Sequence, residues 1–296
     1  MKTKLLKENQ YKEAAEIIRQ GGTVVFRTET VYGLGADATN PSAVEKIFEA
    51  KNRPAVNPLI VHFASLDELV KRFSDICPKT IAVLRKVQHA ITVILPRPSW
   101  IPLITTGGLD TVAVRVPSCA FARKFIAECA VPLAAPSANT STRPSPTRWQ
   151  DAYEDLDGRV DAILCGGQTQ IGLESTVVKI HNDTIQVLRL GGISTHQLEL
   201  KTGYKVTYNP TNESPGTRFR HYSPKCPLYV TYDVAKYPNA TVLENSHFGS
   251  SAREIAKNLF KVLRDTEKTA EAIVVKPFPN TIEYQAINER IRKAAE

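Results

Sequence analysis

The chain has 296 residues, of which 42% are hydrophobic and 23% are charged. These proportions are typical of a globular protein, and they exclude a collagenous, coiled-coil or largely disordered chain. The length predicts about two domains. Lysine and arginine number 38 against 30 aspartate and glutamate residues, so the net charge is +8 and a nucleic-acid partner has to be considered.

The sequence gives no indication of a membrane or an export route. Its longest apolar stretch, near residues 90–95, is far shorter than the roughly 20 residues that cross a bilayer. Residues 1–8 are polar and lack the apolar core of a signal peptide. The five cysteines are odd in number and include no C-x-x-C pair, which argues against a disulfide framework or a zinc knuckle. We therefore expect a cytoplasmic protein that makes no membrane contact.

Helical and strand patterns alternate along the first 200 residues. Apolar residues at helical spacing over 11–18 stop at Gly21-Gly22 and precede the strand-like residues 23–26. Asn40-Pro41 and Ser65 with Glu68 have the chemistry of helix N-termini. Further strands are predicted at 58–63, 90–95, 111–116, 132–135, 174–180 and 184–190. Because several successive strands are joined too tightly for a parallel crossover, we expect a mixed sheet with helices packed on it.

A polar, turn-rich segment separates this α/β pattern from a second, shorter one. Residues 207–226 are rich in turn formers and have no hydrophobic period, and we interpret them as a basic linker. The linker divides a first domain, 1–206, from a C-terminal α/β domain, 227–296. At about 70 residues this second domain is near the lower limit for an independent core, so we expect it to pack against the first. Its predicted elements are strands at 228–232 and 272–275, and helices near 251–264 and from about 281.

Four cationic side chains lie before or inside predicted strands. Lys51 and Arg53 precede Pro54, and extended backbone there would project both side chains to one side, toward a phosphate or a carboxylate. The alternative is a helix C-terminus whose cations favour the helix dipole, which is the commoner meaning of a lone K-x-R. Arg115 and Arg189 each stand inside an apolar strand, so each faces solvent or pairs with a specific partner.

Hydroxyl-rich segments adjoin the same strands. Residues 27–35 and 136–145 each follow a predicted strand, and residues 174–176 open another. Ligands usually bind at such strand ends in open α/β sheets, although a tight turn or an ordinary polar surface loop has the same composition. His62 ends a further strand, where a lone histidine is more often half-buried and satisfied than a ligand. Together with the four cations, these segments predict a polyanion pocket.

The sequence contains no Walker motif, no G-x-S-x-G elbow and no His/Cys/Glu cluster at metal-ligand spacing. It does resemble the YrdC family, in three motifs that occur in order: Thr28-Glu29-Thr30-Val31-Tyr32-Gly33-Leu34, Lys51-x-Arg53 with Asn57-Pro58-Leu59, and Ser137-x-Asn139. Residues 214–224 and the C-terminal domain are similar to the two-domain members, so the resemblance covers essentially the whole chain. It implies a YrdC-like twisted mixed sheet with packed helices, plus a small C-terminal Rossmann-like α/β domain. Two features depart from the family pattern: Thr217 stands where a Met-like residue is more common, and part of the C-terminal domain near 233–245 is missing.

The resemblance also implies a nucleotidyltransferase reaction. L-threonine, bicarbonate and ATP would give threonylcarbamoyl-AMP, pyrophosphate and water, and the enzyme would mainly position two anions and screen their repulsion. Magnesium would arrive with ATP, without metal ligands from protein side chains. A downstream threonylcarbamoyl-transferase complex would then modify a tRNA adenosine beside the anticodon.

Site residues follow from the same resemblance. Lys51 and Arg53 would be the catalytic pair. The linker would lie over the pocket as a lid that keeps water from a hydrolysable mixed anhydride. ATP would be bound by Lys51, Arg53, Asn57, Thr111, Ser137, Asn139, Ser145, Arg189, Arg220, His221 and Tyr222. L-threonine would be bound by Thr30, His62, Arg115, the backbone of Ala135 and Ser175.

Two other functions remain open on the sequence. Carbamoyl transfer in hydrogenase maturation also uses a YrdC-like domain, but those proteins carry acylphosphatase and zinc-finger segments, and this chain lacks paired cysteines. A tRNA or double-stranded RNA binding module would bind in a steeply salt-dependent way without any need for threonine. Because the basic excess is densest in the linker, we expect it to serve a small, multiply charged substrate rather than a nucleic-acid duplex. A weak contact with tRNA is the alternative that the charge leaves open.

Overall fold

The structure is a computed structural model, and it describes residues 2–73, 75–211, 213–214 and 221–295. The strands in this part of the chain are β1 (Lys4–Lys7), β2 (Val24–Arg27), β3 (Tyr32–Asp37), β4 (Ile60–His62), β5 (Ile91–Pro96), β6 (Thr111–Arg115), β7 (Leu133–Ala134), β8 (Ala162–Cys165), β9 (Thr176–His181), β10 (Thr184–Arg189), β11 (Lys205–Tyr208), β12 (Leu228–Val230), β13 (Thr241–Leu243) and β14 (Ile273–Val275).

The α-helices are α1 (Tyr11–Arg19), α2 (Pro41–Lys51), α3 (Leu66–Arg72), α4 (Pro78–Lys86), α5 (Ala120–Cys129), α6 (Trp149–Leu156), α7 (Thr195–Thr202), α8 (Asn245–Phe248), α9 (Ala252–Thr266) and α10 (Gln285–Ala295). Short 3₁₀ helices cover Glu8–Gln10, Val234–Lys236 and Ile282–Tyr284. Within the ranges described, no helix is long and apolar enough to span a bilayer.

Two helix N-termini form as their sequences predict. The Asn40 side chain accepts a hydrogen bond from the Ala43 amide at 3.3 Å, ahead of a proline in the first turn of α2. The Ser65 hydroxyl accepts from the Glu68 amide at 3.0 Å, while the Glu68 carboxylate accepts from the Ala64 amide. Side-chain oxygens therefore satisfy backbone donors at the start of α2 and α3.

Eleven strands form one mixed sheet in the order β1-β8-β2-β3-β7-β4-β6-β5-β9-β10-β11. The sheet contains both parallel pairs, such as β4 with β6, and antiparallel pairs, such as β9 with β10. The turn between β9 and β10 is too short for a crossover, which is why these neighbours are antiparallel. The predicted α/β class with a mixed sheet is confirmed.

Helices cover both faces of this sheet. In β2, Val24 and Phe26 pack with α1 and α5 on one face, whereas Val25 points to the larger cluster that contains Ile47 of α2. Alternation along a strand places successive side chains on opposite faces, so this central strand is buried on both. The core is therefore built on two sides of the sheet, and its strand ends remain available for a site.

The C-terminal part contains a separate parallel sheet of order β12-β14-β13. Residues 241–243, within the segment that departs from the family pattern, supply an edge strand of this sheet. Its core includes Leu259 and Phe260 of α9 and Ile287 of α10. A Cβ on Gly172 would lie 2.4 Å from the Ala256 carbonyl oxygen, so the first part of the chain meets α9 backbone to backbone.

The structure differs from the sequence-based expectations in several elements. The segment 27–35, which follows the predicted strand 23–26, contains the start of β3, a strand that the sequence did not predict and that pairs antiparallel with β2. β11 extends to Tyr208, two residues beyond the predicted end of the first domain. The sequence patterns did not predict α4, α5, α6, α7, α8, β1, β8, β11 or β13. The domain boundaries themselves stay predictions.

Candidate active site

A pocket opens where several strands of the large sheet begin or end. It is bounded by the β2–β3 turn, the segment leading into β4, the end of β6, the loop after β7, and the segment before β9. The predicted site residues that line it are Thr30, Arg53, His62, Arg115, Ala135, Ser137, Asn139, Ser145, Ser175, Arg189, His221 and Tyr222. Residues far apart in the sequence thus meet at one place.

Arg53 lies at one end of the pocket, just after α2. Asn52 ends that helix with a left-handed φ of 49°, which turns the chain toward the pocket. The Arg53 guanidinium donates to the carbonyl oxygens of Asn57 at 3.3 Å and Pro58 at 3.0 Å. Burial, together with nearby Arg189, lowers the pKa of Arg53 to about 9. A partly buried cation beside another cation favours an anionic ligand.

Lys51 lies behind the pocket wall and does not line it. Its ammonium donates to the backbone carbonyls of Ser137 and Asn139, and its side chain is buried. Burial and the neighbouring Arg53 lower the pKa of Lys51 well below its usual value. Lys51 therefore fixes the loop that presents Ser137 and Asn139 to the pocket.

The loop after β7 is held from both parts of the chain. The Pro136 carbonyl accepts from Leu34 N–H at 2.9 Å, which ties the start of the loop to β3. At the other end, Arg264 of α9 donates to the Pro144 carbonyl at 2.6 and 3.0 Å and pairs with Asp155 at 2.7 Å. Arg143, in the loop itself, pairs with Glu267. The loop is thus clamped between the large sheet and the C-terminal part.

The opposite end of the pocket contains a neutralised arginine. Arg115, at the end of β6, pairs with Glu29 at 2.6 Å, and both side chains are at most 5% exposed. Although burial alone would raise it, the pKa of Glu29 is lowered to about 2 by the charge and hydrogen bond of Arg115. Within the described residues, Arg115 Nε has no hydrogen-bond partner. The strand arginine thus has the specific partner that its burial requires.

His62 lies beside this ion pair and is buried. Its Nδ1 is 3.1 Å from the Ile60 carbonyl oxygen. Burial and then the charge of Arg115 lower the pKa of His62 to about 3, so its imidazole is neutral at pH 7. With Glu29 balancing Arg115, this end of the pocket has almost no net charge.

Small groups complete the pocket wall. Ser175 Oγ lies 2.7 Å from Thr92 Oγ1, and Thr30 Oγ1 lies 2.9 Å from Thr28 Oγ1. The Ser175 carbonyl accepts from Arg189 at 2.8 Å. The amide of Ala135 is already used, since it donates to the Ile60 carbonyl at 2.9 Å.

The end of the linker reaches the pocket. Tyr222 has a left-handed φ of 69°, and its ring stacks on Phe260 with 5.2 Å between ring centroids. Burial and the charge of Arg53 lower the pKa of the adjacent His221 to about 3. Within the described residues, His221 Nε2 is buried without a hydrogen-bond partner. Arg220, also predicted to contact ATP, lies outside the described residues.

Two further predicted residues do not line the pocket. Asn57 is buried in the segment before β4, where its backbone carbonyl accepts from Arg53. Thr111 opens β6 opposite Pro96, at the far end of the strand from Arg115. Direct ligand contacts from these two side chains therefore have no support in this arrangement.

The sequence reasoning did not assign Glu29, Glu174 or Arg143 to the site. Glu29 and Glu174 stand inside hydroxyl-rich segments that the sequence did single out, so a carboxylate among hydroxyls was the available signal. Glu174 accepts from Ser145 Oγ at 2.5 Å, and Arg290 lowers its pKa to about 2 against the effect of burial. No group of three His, Cys, Asp or Glu side chains in the part of the chain described could hold a metal ion.

Comparison with known proteins identifies the family of this chain. A protein-family model described as telomere recombination matches residues 16–191, and a second family model, described as the C-terminal domain of threonylcarbamoyl-AMP synthase, matches residues 193–296. The threonylcarbamoyl-AMP synthase of Pyrococcus abyssi is 36% identical over 328 residues, spanning 98% of this chain and 95% of that protein. The chain belongs to the threonylcarbamoyl-AMP synthase family.

Another relative and a solved structure agree with this membership. The threonylcarbamoyl-AMP synthase of Bacillus subtilis is 36% identical, over 97% of this chain and 93% of that protein. The crystal structure of Pyrococcus abyssi Sua5 complexed with L-threonine matches with a TM-score of 0.91 at 34% identity. That match covers 100% of this chain and 98% of the other. The predicted family and its two-part α/β fold are confirmed.

Proposed function

We propose that the chain is a threonylcarbamoyl-AMP synthase, which joins L-threonine, bicarbonate and ATP and releases pyrophosphate. Family membership supports this, since relatives at 36% identity over nearly the whole chain carry that name. The observation that carries the proposal is one pocket with two differently charged ends. Arg53 and Arg189 give one end an excess of positive charge, while Glu29 balances Arg115 at the other. Such a pocket suits a polyphosphate beside an amino acid.

The cationic end is assigned to the nucleotide. Arg53 and Arg189 face the pocket, and their charges would be offset by phosphate oxygens. Ser137, Asn139 and Ser145 add neutral hydrogen-bonding groups on the loop after β7. Lys51, expected to contact ATP directly, is instead given a supporting role in this proposal, because it bonds to the loop's carbonyls.

The neutral end is assigned to L-threonine. Arg115 Nε would donate to the amino-acid carboxylate while the same guanidinium stays paired with Glu29. Thr30 and the neutral imidazole of His62 line the same end, and Ser175 lies between them and Arg189 of the cationic end; the three suit a zwitterion's hydroxyl and ammonium groups. The net charge of this end then stays close to zero after the amino acid has bound.

The two ends together would favour the reaction by positioning and charge screening. After the bound ammonium group of threonine has lost a proton to solvent, the neutral amine bonds to the carbon of bicarbonate, water leaves, and a carbamate forms. A carbamate oxygen then bonds to the α-phosphorus of ATP as the bond to pyrophosphate breaks. Both reactants are anions, so cations at the nucleotide end lower the cost of bringing them together. His221 and Tyr222, at the end of the linker, would exclude water from the product.

Magnesium enters this proposal as part of the nucleotide substrate. Glu174 is the one carboxylate among the described residues that line the pocket, and it is occupied by Ser145 and Arg290. A magnesium ion prefers oxygen ligands and retains water, so phosphate oxygens would hold it here. The product would pass to a threonylcarbamoyl-transferase complex acting on tRNA, in the cytoplasm.

Pyrophosphate release measured with the purified protein tests the function. Release from ATP is expected only when L-threonine and bicarbonate are both present, because the carbamate is the nucleophile. Omitting threonine or degassing the buffer to remove bicarbonate serves as the matched control. Release that continues unchanged without threonine would contradict the proposal.

A further inference from the structure

The last helix carries a buried arginine that reaches into the first part of the chain. Arg290 of α10 has a side chain with no measurable exposure. Its Nε donates to Glu174 at 2.9 Å, and a terminal nitrogen donates to the Leu190 carbonyl at 2.7 Å. Both acceptors lie in the first part of the chain, at the start of β9 and the end of β10. The third nitrogen, Nη1, has no hydrogen-bond partner among the described residues but lies 3.5 Å from the Glu289 carboxylate, which also offsets the buried charge.

Glu174 links Arg290 to the pocket. One carboxylate oxygen accepts from Arg290, and the other accepts from the hydroxyl of Ser145 at 2.5 Å. The Glu174 backbone packs closely against Gly191, where a Cβ would lie 2.3 Å from the Glu174 carbonyl oxygen, and this oxygen accepts from the Gly192 amide at 2.8 Å. Ser145 lines the pocket on the loop after β7. The hydroxyl is therefore oriented by a residue about 145 positions away, through one carboxylate.

Arg290 also contacts the linker. Its guanidinium lies 5.2 Å from the centroid of the Tyr222 ring, whose neighbour on the stacked side is Phe260. A guanidinium on an aromatic ring is attracted to it and limits its movement. Tyr222 lines the pocket. One side chain thus restrains both the loop hydroxyl and the ring that closes the same end of the pocket.

We infer that Arg290 is a positioning residue for the nucleotide: it acts through Glu174 on Ser145 and directly on Tyr222, so the C-terminal helix helps to build the ATP end of the site. This inference rests on the proposed function for the identity of the nucleotide. It assigns the C-terminal part a role in ATP affinity, while the threonine end, which depends on Glu29 and Arg115, stays independent of Arg290.

Calorimetric titration of the full chain with ATP alone, and separately with L-threonine alone, tests the inference. Arg290→Lys keeps the charge but cannot donate to Glu174 and Leu190 in the same fork or lie flat on Tyr222. We expect ATP affinity to fall about tenfold or more, with threonine affinity within about twofold of wild type. Arg292→Lys is the matched control, because Arg292 is exposed on the same helix and bonds only to Asn288 among the described residues.

The path through Ser145 is tested by a double-mutant cycle. If Arg290 acts through that hydroxyl, Ser145→Ala weakens ATP binding less in the Arg290→Lys protein than in wild type. Equal loss of ATP and threonine affinity in Arg290→Lys would overturn the inference. So would a double variant whose loss of ATP affinity equals the product of the losses in Ser145→Ala and Arg290→Lys. Should Arg290→Lys fail to fold, Glu174→Gln is expected to give the same ATP-selective loss.

These titrations separate the inference from the proposed function. A wild-type protein that binds ATP but releases no pyrophosphate with threonine and bicarbonate contradicts the function, and the Arg290 comparison can still be made. A wild-type protein that does not bind ATP contradicts both.

Discussion

The arginines at the two ends of the pocket have different kinds of partner. Arg115 has a carboxylate partner, Glu29, at 2.6 Å, and the adjacent His62 is neutral. Arg53 donates to the backbone carbonyls of Asn57 and Pro58, and burial together with nearby Arg189 lowers its pKa to about 9. Arg115 is 4% exposed and Arg53 is partly buried, and the contrast in net charge comes from their partners.

That contrast indicates what each end is suited to bind. A guanidinium already paired with a carboxylate can orient a ligand without demanding net negative charge from it. A guanidinium that is desolvated beside another cation is stabilised most by a multiply charged anion. In the proposed function, one pocket therefore combines an orienting end at Arg115 with a charge-accepting end at Arg53.

The largest expected effect follows from breaking the ion pair at the orienting end. Arg115→Met leaves the Glu29 carboxylate, 1% exposed, without its cationic partner. We expect the free energy of unfolding at pH 7 to fall by about 3–5 kcal/mol, measured by urea denaturation. The double variant Glu29→Gln/Arg115→Met should recover most of this loss because no buried charge remains. A single variant as stable as the double one would show that the pair does not neutralise this end.

Removing the cation at the other end should affect the nucleotide rather than stability. Arg53→Gln is expected to lower kcat/KM for ATP about 100-fold, or about 2.7 kcal/mol, since charge-assisted bonds to phosphate are lost. The free energy of unfolding should stay equal or rise slightly, because a desolvated cation has been removed. Pyrophosphate release at saturating threonine and bicarbonate, together with urea denaturation, measures both quantities.

Arg97 provides the matched control for this variant. Like Arg53 it is partly buried and donates to a backbone carbonyl, that of Ile101 at 2.8 Å, but it lies outside the pocket. Arg97→Gln should therefore leave kcat/KM for ATP unchanged. Equal losses in the two variants would remove Arg53 from the nucleotide end.

Part of this contrast could be predicted from the sequence, because a charged residue inside an apolar strand is visible in the residue pattern. The charge within the apolar strand at Arg115 predicted either solvent exposure or a specific partner, and the structure has the partner. Which carboxylate pairs with it could not be predicted. Glu29 is 86 positions away, and their meeting depends on the order β3-β7-β4-β6 in the sheet.

Lys51 illustrates a second limit of the sequence. The K-x-R spacing predicted that Lys51 and Arg53 act on one ligand, but α2 continues through Lys51 and the chain turns at Asn52. The two side chains therefore take different roles, one toward loop carbonyls and one toward the pocket. The helix end decides this, and helix ends are the part of a helix that sequence patterns define least well.

Arg290 was missed although its position carried a signal. Ile287, Ile291 and Ala294 form the buried face of α10, and Arg290 lies on the same face at helical spacing. A charge on the apolar face of a helix predicts a buried partner. Identifying that partner as Glu174 required knowing how the C-terminal part packs on the large sheet.

The smallest expected effect is a pH dependence that reports the neutral state of the orienting end. The pKa of His62 is lowered to about 3 in the folded chain, against about 6.5 for a free histidine. Below pH 6.5 the unfolded chain therefore binds a proton that the folded chain does not, so stability is present above pH 6.5 and is lost as the pH falls toward 3. Between pH 6.5 and 5.5 this loss is about 1 kcal/mol. His62→Gln should reduce the slope of unfolding free energy against pH by that amount in urea titrations, whereas His196→Gln, at an exposed position of α7, serves as the control for removing a histidine. His221 changes stability with the same sign and remains in both variants, so the comparison isolates His62.

The contradicting outcome is an unchanged slope of unfolding free energy against pH in His62→Gln. It would mean that His62 is not held neutral beside Arg115, and that both ends of the pocket accept charge.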